Sequence, residues 1–219
     1  KLNENYEGTA PKIQKVICYF VSDYVTAAQS GNTDYVFGNA ADLVEASKIS
    51  SGNVKLELNR LNFQELIQQT NGEFSEKFEN KGLKLVVDMP EEPVVIVADG
   101  RRLWRVIENL YNNTAKYAMP NTRVYVELTT VGHMVRFSIK NISEQPLNIN
   151  ADELTERFIR GDVARSTEGS GLGLSIARNL TELQKGSFNI YLDGDLFKAT
   201  IIFPEAEEKT NRDKSERLV

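Results

Sequence analysis

Apolar residues recur at helical spacing over residues 12–28, where Ile13, Val16, Ile17, Phe20, Tyr24, Val25 and Ala28 fall on one side. Ser30-Gly31-Asn32 breaks the run, and Thr33 caps a second helix reaching about Ser50 that carries Val36, Ala40, Leu43 and Val44. Ser51-Gly52-Asn53 stops that one. Residues 1–52 therefore read as a helical hairpin. Neither helix is long enough to be stable alone, so the apolar stripes need cover. A second copy of the chain, making a homodimer through a four-helix bundle, would supply it, and so would the domain that follows.

From Val54 the period changes. A strand over 54–58 leads into a helix from about Asn62 to Glu79, with Phe63, Leu66, Ile67, Phe74 and Phe78 on one side and Lys81-Gly82 at its end. Leu83–Asp88 and Val94–Ala98 read as strands. Asp99 caps a helix carrying Leu103, Trp104, Ile107, Leu110, Tyr111 and Ala115, ended by Pro120-Asn121. Val124–Thr130 and Met134–Lys140 alternate apolar and polar positions around Val131-Gly132-His133, a β-hairpin pattern. Residues 142–168 show little period and read as a long functional loop. Leu172, Leu174, Ile176, Ala177, Leu180 and Leu183 define one more helix. Phe188–Leu192 and Phe197–Phe203 form a final hairpin around Asp193-Gly194-Asp195. This order predicts an α+β two-layer sandwich over 53–204, followed by a charged, disordered tail over 205–219.

Composition narrows the setting. The chain has 219 residues, a net charge of −5, one cysteine (Cys18) and one histidine (His133). The acidic balance and the lack of a basic stripe argue against nucleic acid as a partner. A lone cysteine excludes an internal disulfide and a thiolate metal site. No apolar run has the length of a membrane span and no signal-peptide pattern opens the chain, so it reads as a cytoplasmic globular protein without membrane contact of its own. It opens on Lys1 rather than Met, which fits a fragment and leaves a membrane-anchored parent open.

Candidate chemistry gathers in three places. On the Asp99-capped helix, Asn109 and Asn113 stand one turn apart on one face, flanked by Glu108 and Lys116. Carboxamide oxygens with waters suit Mg²⁺, and Lys116 can act as a point charge on a phosphate. In the long loop, Glu156-Arg157-Phe158-Ile159-Arg160-Gly161-Asp162 and Arg165 offer arginines to phosphates, with Phe158 as a packing anchor. Gly169, Gly171 and Gly173 then precede a helix, whose N-terminal N–H groups favour an anion.

The three together, in this order, resemble the catalytic, ATP-binding domain of sensor histidine kinases in the GHKL ATPase superfamily. Asn109–Tyr117 resembles the N box, Arg157–Asp162 the F box and Gly169–Leu174 the second glycine box. Asp42-Leu-Val-Glu-Ala-Ser-Lys-Ile-Ser-Ser-Gly resembles the end of the dimerisation-and-phosphotransfer hairpin that precedes this domain. The resemblance covers roughly residues 40–204 and implies a Bergerat-type sandwich. It implies ATP and Mg²⁺ as cofactors, a response regulator as partner, and transfer of the γ-phosphoryl group to a histidine nitrogen. Asn109 would be the Mg²⁺ ligand. Asn113 and Lys116 would contact nucleotide and phosphate, and Tyr117 the adenine or ribose side. Arg160 and Arg165 would meet the phosphates from the lid. Gly169, Gly171, Leu172 and Gly173 would wrap the phosphates, and Glu108 would stand where related ATPases place a general base or polarising acid.

The chain departs from that family twice. The first glycine box, an Asp-x-Gly-x-Gly run, is replaced by Lys140-Asn141-Ile142-Ser143, so Asn141 stands where the adenine-reading Asp is expected and offers an acceptor oxygen without charge. The phosphoacceptor box is absent, Ser22-Asp23 being its nearest remnant, and His133 falls in a hairpin turn. Autophosphorylation on histidine is therefore not expected of this chain. A nucleotide-binding pseudokinase or regulatory scaffold is the alternative reading, and serine kinases of the anti-sigma type share the fold.

Overall fold

The computed structural model describes residues 44, 47, 48, 54–147 and 172–207. Val44, Ser47 and Lys48 are helical. The rest of the expected hairpin, most of the expected loop including Arg160, Arg165, Gly169 and Gly171, and residues 208–219 lie outside the described residues.

Two layers form: three helices on a mixed sheet, the α+β sandwich expected. The elements are β1 (Asn59–Asn62), α1 (Phe63–Asn80), β2 (Lys84–Asp88), β3 (Val95–Ala98), α2 (Gly100–Tyr117), β4 (Arg123–Val131), β5 (Met134–Ile142), α3 (Gly173–Leu183), β6 (Ser187–Asp193) and β7 (Leu196–Pro204). The main sheet has the order β2-β4-β5-β7-β6, and β1 pairs with β3 in a separate two-stranded sheet. Only β2–β4 is parallel, with α2 among the elements between them; the other neighbours are antiparallel.

Strand alternation decides which face meets the helices. Val124, Val126 and Leu128 of β4, Val135, Phe137 and Ile139 of β5, and Phe197, Ala199, Ile201 and Phe203 of β7 are buried. They form one core with Phe63, Ile67, Phe74 and Phe78 of α1 and Leu103, Val106, Ile107, Leu110 and Tyr111 of α2. Continued by two residues, the inward series of β5 ends on the buried, polar Asn141. Both hairpins close through two-residue Gly-x turns, with Gly132 at φ 62° and Gly194 at φ 55°, the positive value that the first central position of a II′ turn requires.

The structure corrects three expectations. The first strand is Asn59–Asn62, and residues 54–58 lie outside it. The cause is Asp99: its Oδ2 accepts the Glu57 N–H at 2.9 Å, so Glu57 meets a carboxylate, and pairing with β3 begins at Asn59↔Ala98. The expected loop from 142 starts later, because Ile142 belongs to β5 and Ser143 bridges Ala118. Met119 N–H donates to Ile142 O at 2.8 Å and Glu144 N–H to Tyr117 O at 2.8 Å. Residues lacking the glycines of an Asp-x-Gly-x-Gly run stay extended here and find backbone partners at the end of α2. Finally, residues 205–207 are tied to the domain: Glu205 N–H donates to His133 O, Ala206 N–H to Val95 O, and Arg60 to Glu207 O.

Candidate nucleotide site

Helix α2 carries the expected polar face, and it is held at both ends. At its start, Asp99 Oδ1 accepts the Arg102 N–H at 3.1 Å, while Asp99 N–H donates to Gln184 Oε1 at 2.8 Å. The cap thus ties α2 to the end of α3. At its last turn, Lys81 Nζ donates to Lys116 O at 2.7 Å and pairs with Glu144 at 3.4 Å, a cation placed at the negative end of the helix. Between them Tyr111 stacks on Phe78 at 5.8 Å, meets Phe74 edge-on at 5.3 Å and donates its hydroxyl to Asn71 Oδ1 at 2.6 Å. Burial holds that phenol well above its ordinary pKa, so it stays a donor.

This support presents Asn109, Asn113 and Lys116 along one side. Asn109 is only 7 % exposed, and its Nδ2 has no hydrogen-bond partner among the described residues. A buried amide without a partner costs about 1–3 kcal/mol, so such a group marks a place where a ligand or water completes the set. The N-terminus of α3 lies directly against it. A Cβ added to Gly173 would stand 3.0 Å from Asn109 Oδ1 and 3.6 Å from its Cγ. Gly173 therefore serves by close approach; the positive-φ glycines among the described residues are Gly82, Gly132 and Gly194. Leu172 sits in the cap position of α3 at φ −71°, ψ −16°, and its apolar side chain makes no cap hydrogen bond. The start of a helix beside an amide N–H without a partner among the described residues suits an anion, and the Asn109 oxygen is of the type that binds that anion's hard cation.

The other expected residues divide. Asn113 is half-buried one turn on. The Lys116 ammonium lies 4.9 Å from the ring centre of the exposed Tyr117, so the two share one corner. Glu108 is engaged by Arg105 on its own helix at 2.5 Å, a charge-assisted contact that holds its carboxylate along α2. Asn141, across from α2, is 3 % exposed. His133 occupies the exposed turn of the β4–β5 hairpin, where its carbonyl serves the backbone of Glu205. Among the described residues no three His, Cys, Asp or Glu side chains gather as a metal cluster. Sequence reasoning missed two contacts around α2. One is Lys81, whose ending of α1 was legible but whose reach was not. The other is Thr114, which donates to Asn141 Oδ1 at 3.4 Å.

Residues 98–213 match the family described as histidine kinase-, DNA gyrase B-, and HSP90-like ATPase. The chain belongs to this family. The match begins at the end of β3 and takes in α2, the β4–β5 hairpin, α3 and the last hairpin, which are the elements around Asn109. Similar proteins include the adaptive-response sensory kinase SasA of Synechococcus elongatus, 28 % identical over 67 % of this chain and 38 % of its own length. The probable sensor histidine kinase TcrY of Mycobacterium tuberculosis is 36 % identical over 48 % of this chain and 22 % of its own. BaeS of Escherichia coli, a signal transduction histidine-protein kinase, is 29 % identical over 55 % and 26 %. The chain thus spans well under half of these relatives.

Solved structures share the fold. The histidine kinase AdeS of Acinetobacter baumannii superposes with a TM-score of 0.65 at 15 % identity, over 89 % of this chain and 94 % of that one. The catalytic domain of the histidine kinase ThkA gives 0.60 at 22 %, over 68 % and 96 %. Full-length ShkA, crystallised with AMPPNP, gives 0.70 at 21 %, over 86 % and 40 %. The ATPase-family domain of this chain is thus similar to the ATP-binding catalytic part of two-component histidine kinases; the residues expected as an N box lie on α2, and the last two of the expected second glycine box, Gly173 and Leu174, open α3.

Proposed function

We propose that this domain binds Mg²⁺–ATP at the junction of α2 and α3 and transfers the γ-phosphoryl group to a histidine presented by another domain or chain, which then passes it to a response regulator. The observation that carries this reading is Asn109: a buried carboxamide whose Nδ2 has no partner among the described residues, pressed against the glycine that opens α3. In a family of ATPases, that pairing of hard oxygen donor and helix N-terminus fits a cation-bridged polyphosphate.

Asn109 would supply carboxamide oxygen to Mg²⁺, and Asn113, one turn on, would contact the nucleotide. The ion, when bound, neutralises charge shared between phosphate oxygens. Lys116 adds a positive charge at the same edge, and Tyr117 beside it offers an aromatic face to the nucleoside. Arg160, Arg165, Gly169 and Gly171 complete the phosphate contacts in this reading, with Leu172 closing the turn into α3. Phosphoryl transfer asks little covalent chemistry of a protein, so positioning and charge carry the rate. Glu108, paired with Arg105, then acts mainly as an orienting acid.

The acceptor comes from elsewhere, because the chain's one histidine lies in the β4–β5 turn. The direct experiment offers the chain γ-labelled ATP and a histidine phosphotransfer domain in trans. Label is expected on the acceptor histidine with Mg²⁺, and its rate is expected to fall about a hundredfold or more in Asn109→Ala, in line with loss of one preorganised electrostatic partner. Nucleotide binding without any transfer to several such acceptors would favour the regulatory pseudokinase instead.

A further inference from the structure

We propose that the stripe Arg101, Trp104 and Arg105 at the start of α2 is a docking surface for an acidic polypeptide segment of a partner protein. The inference stands apart from the nucleotide site proposed above, which lies where Asn109 meets Gly173.

Three and four residues apart, Arg101, Trp104 and Arg105 stand on one face of α2. Arg101 is exposed, and Trp104 and Arg105 are half-buried. Local energetics argue against such a face. The positive end of the helix dipole disfavours cations in the first turn, and Arg101 and Arg105 repel one another at one-turn spacing. Helix α1 obeys the dipole, with Glu65 in its first turn and Lys77 in its last. Helix α2 has no acidic residue in its first turn and carries Arg101 and Arg102 there instead. Two acids stand near. The Asp99 carboxylate accepts the Arg102 and Glu57 N–H groups, and Glu108 offsets Arg105 at 2.5 Å. Among the described residues no carboxylate pairs with Arg101. Natural chains keep such local conflicts where a function needs them.

The same side chains suit an acidic segment. A guanidinium takes a carboxylate through two parallel hydrogen bonds. Trp104 has an indole N–H without an acceptor among the described residues, and its ring adds apolar area beside the two arginines. Tryptophan and arginine are the residue types that most often dominate the energy of protein interfaces. The positive charge is local. The chain as a whole carries −5, so an acidic partner is repelled by the rest of the surface and favoured at this stripe, which fixes where it docks.

Trp104 is the chain's one tryptophan, so its fluorescence reads the stripe directly. The full chain is titrated with a capped hexaglutamate peptide, and with hexalysine and a thymidine hexanucleotide beside it. A saturating change in Trp104 emission is expected with hexaglutamate, weaker at high salt, and none with hexalysine. Arg101→Glu is expected to weaken hexaglutamate binding by about tenfold or more, since it sets like charges against each other. The same variant is expected to raise the thermal midpoint by about 1–3 °C, because a carboxylate favours the helix start and pairs with Arg105. An arginine kept for stability would lower the midpoint instead. No emission change with hexaglutamate at millimolar concentration, the result if another part of the chain covers the stripe, overturns the proposal. So does an equal response by Arg101→Glu, or a lower midpoint in that variant. Tighter binding of the hexanucleotide than of hexaglutamate would assign the stripe to nucleic acid and overturn it as well.

Discussion

At Gly173 the difference between a hydrogen and a methyl group decides whether Asn109 keeps its place. A Cβ there would come 3.0 Å from Oδ1, and Asn109 is buried with little room to withdraw. Gly173→Ala should therefore weaken Mg²⁺-dependent nucleotide binding by about tenfold or more, as expected when a contact group is displaced by a fraction of an ångström. The thermal midpoint should change little, because the strain falls on the site and not on the apolar core; titration beside a melting curve checks both. Unchanged affinity would mean that Asn109 is not where binding is decided. At this scale the sequence was partly legible. The Asn109–Asn113 spacing and the glycines before α3 point to a site only when taken together with the arginine loop between them. The contact of Gly173 with Asn109 joins residues far apart in the chain, and nothing in local pattern reveals it. Thr114 was hidden for the same reason, although carrying the period of β5 past Lys140 places Asn141 inward and calls for a partner on α2.

Among the elements, the outer face of the sheet gives a pH-dependent contribution. Glu127 on β4 accepts from Lys140 Nζ at 2.8 Å on β5, lies 3.9 Å from Lys198 on β7 and receives Ser138 Oγ at 3.2 Å. The hydrogen bond from Lys140 is the main cause of a pKa below the ordinary carboxylate value; partial burial opposes it, and the charges of Lys140 and Lys198 assist. A carboxylate with a lowered folded pKa stabilises fully above its unfolded pKa, about 4.3 for glutamate, and loses that contribution as pH falls through the folded value. Glu127→Gln should thus lower stability at neutral pH and shallow the loss of stability on acidification, read from denaturant midpoints between neutral pH and pH 3 or so. Parallel acid profiles for the two proteins would contradict the assignment. The elements themselves were largely readable. Asp99 does cap α2, both hairpins turn where Gly132 and Gly194 stand, and α1 runs Phe63–Asn80 behind an Asn62 cap. Where the reading slipped, a tertiary partner had overridden local pattern: the Asp99 carboxylate at Glu57, the end of α2 at Ser143, and β3 with the β4–β5 turn at Glu205 and Ala206.

For the whole molecule, the ATPase family match, a two-layer fold shared with histidine kinase catalytic domains and a carboxamide N–H without a partner among the described residues, beside the start of α3, all support the proposed site. The replacement of the first glycine box fits the same picture. Its backbone has gone into pairing with the end of α2, and Asn141 is buried under that helix, its Nδ2 donating to Ile142 O. Among the described residues no helix is long and apolar enough to cross a membrane. The measurement that bears most directly on the account is calorimetric titration of the chain with AMPPNP, with and without Mg²⁺, for wild type and Asn109→Ala. Binding that requires Mg²⁺ and is lost in Asn109→Ala is the predicted result. Equal binding with and without Mg²⁺, or equal binding by the two proteins, would contradict it.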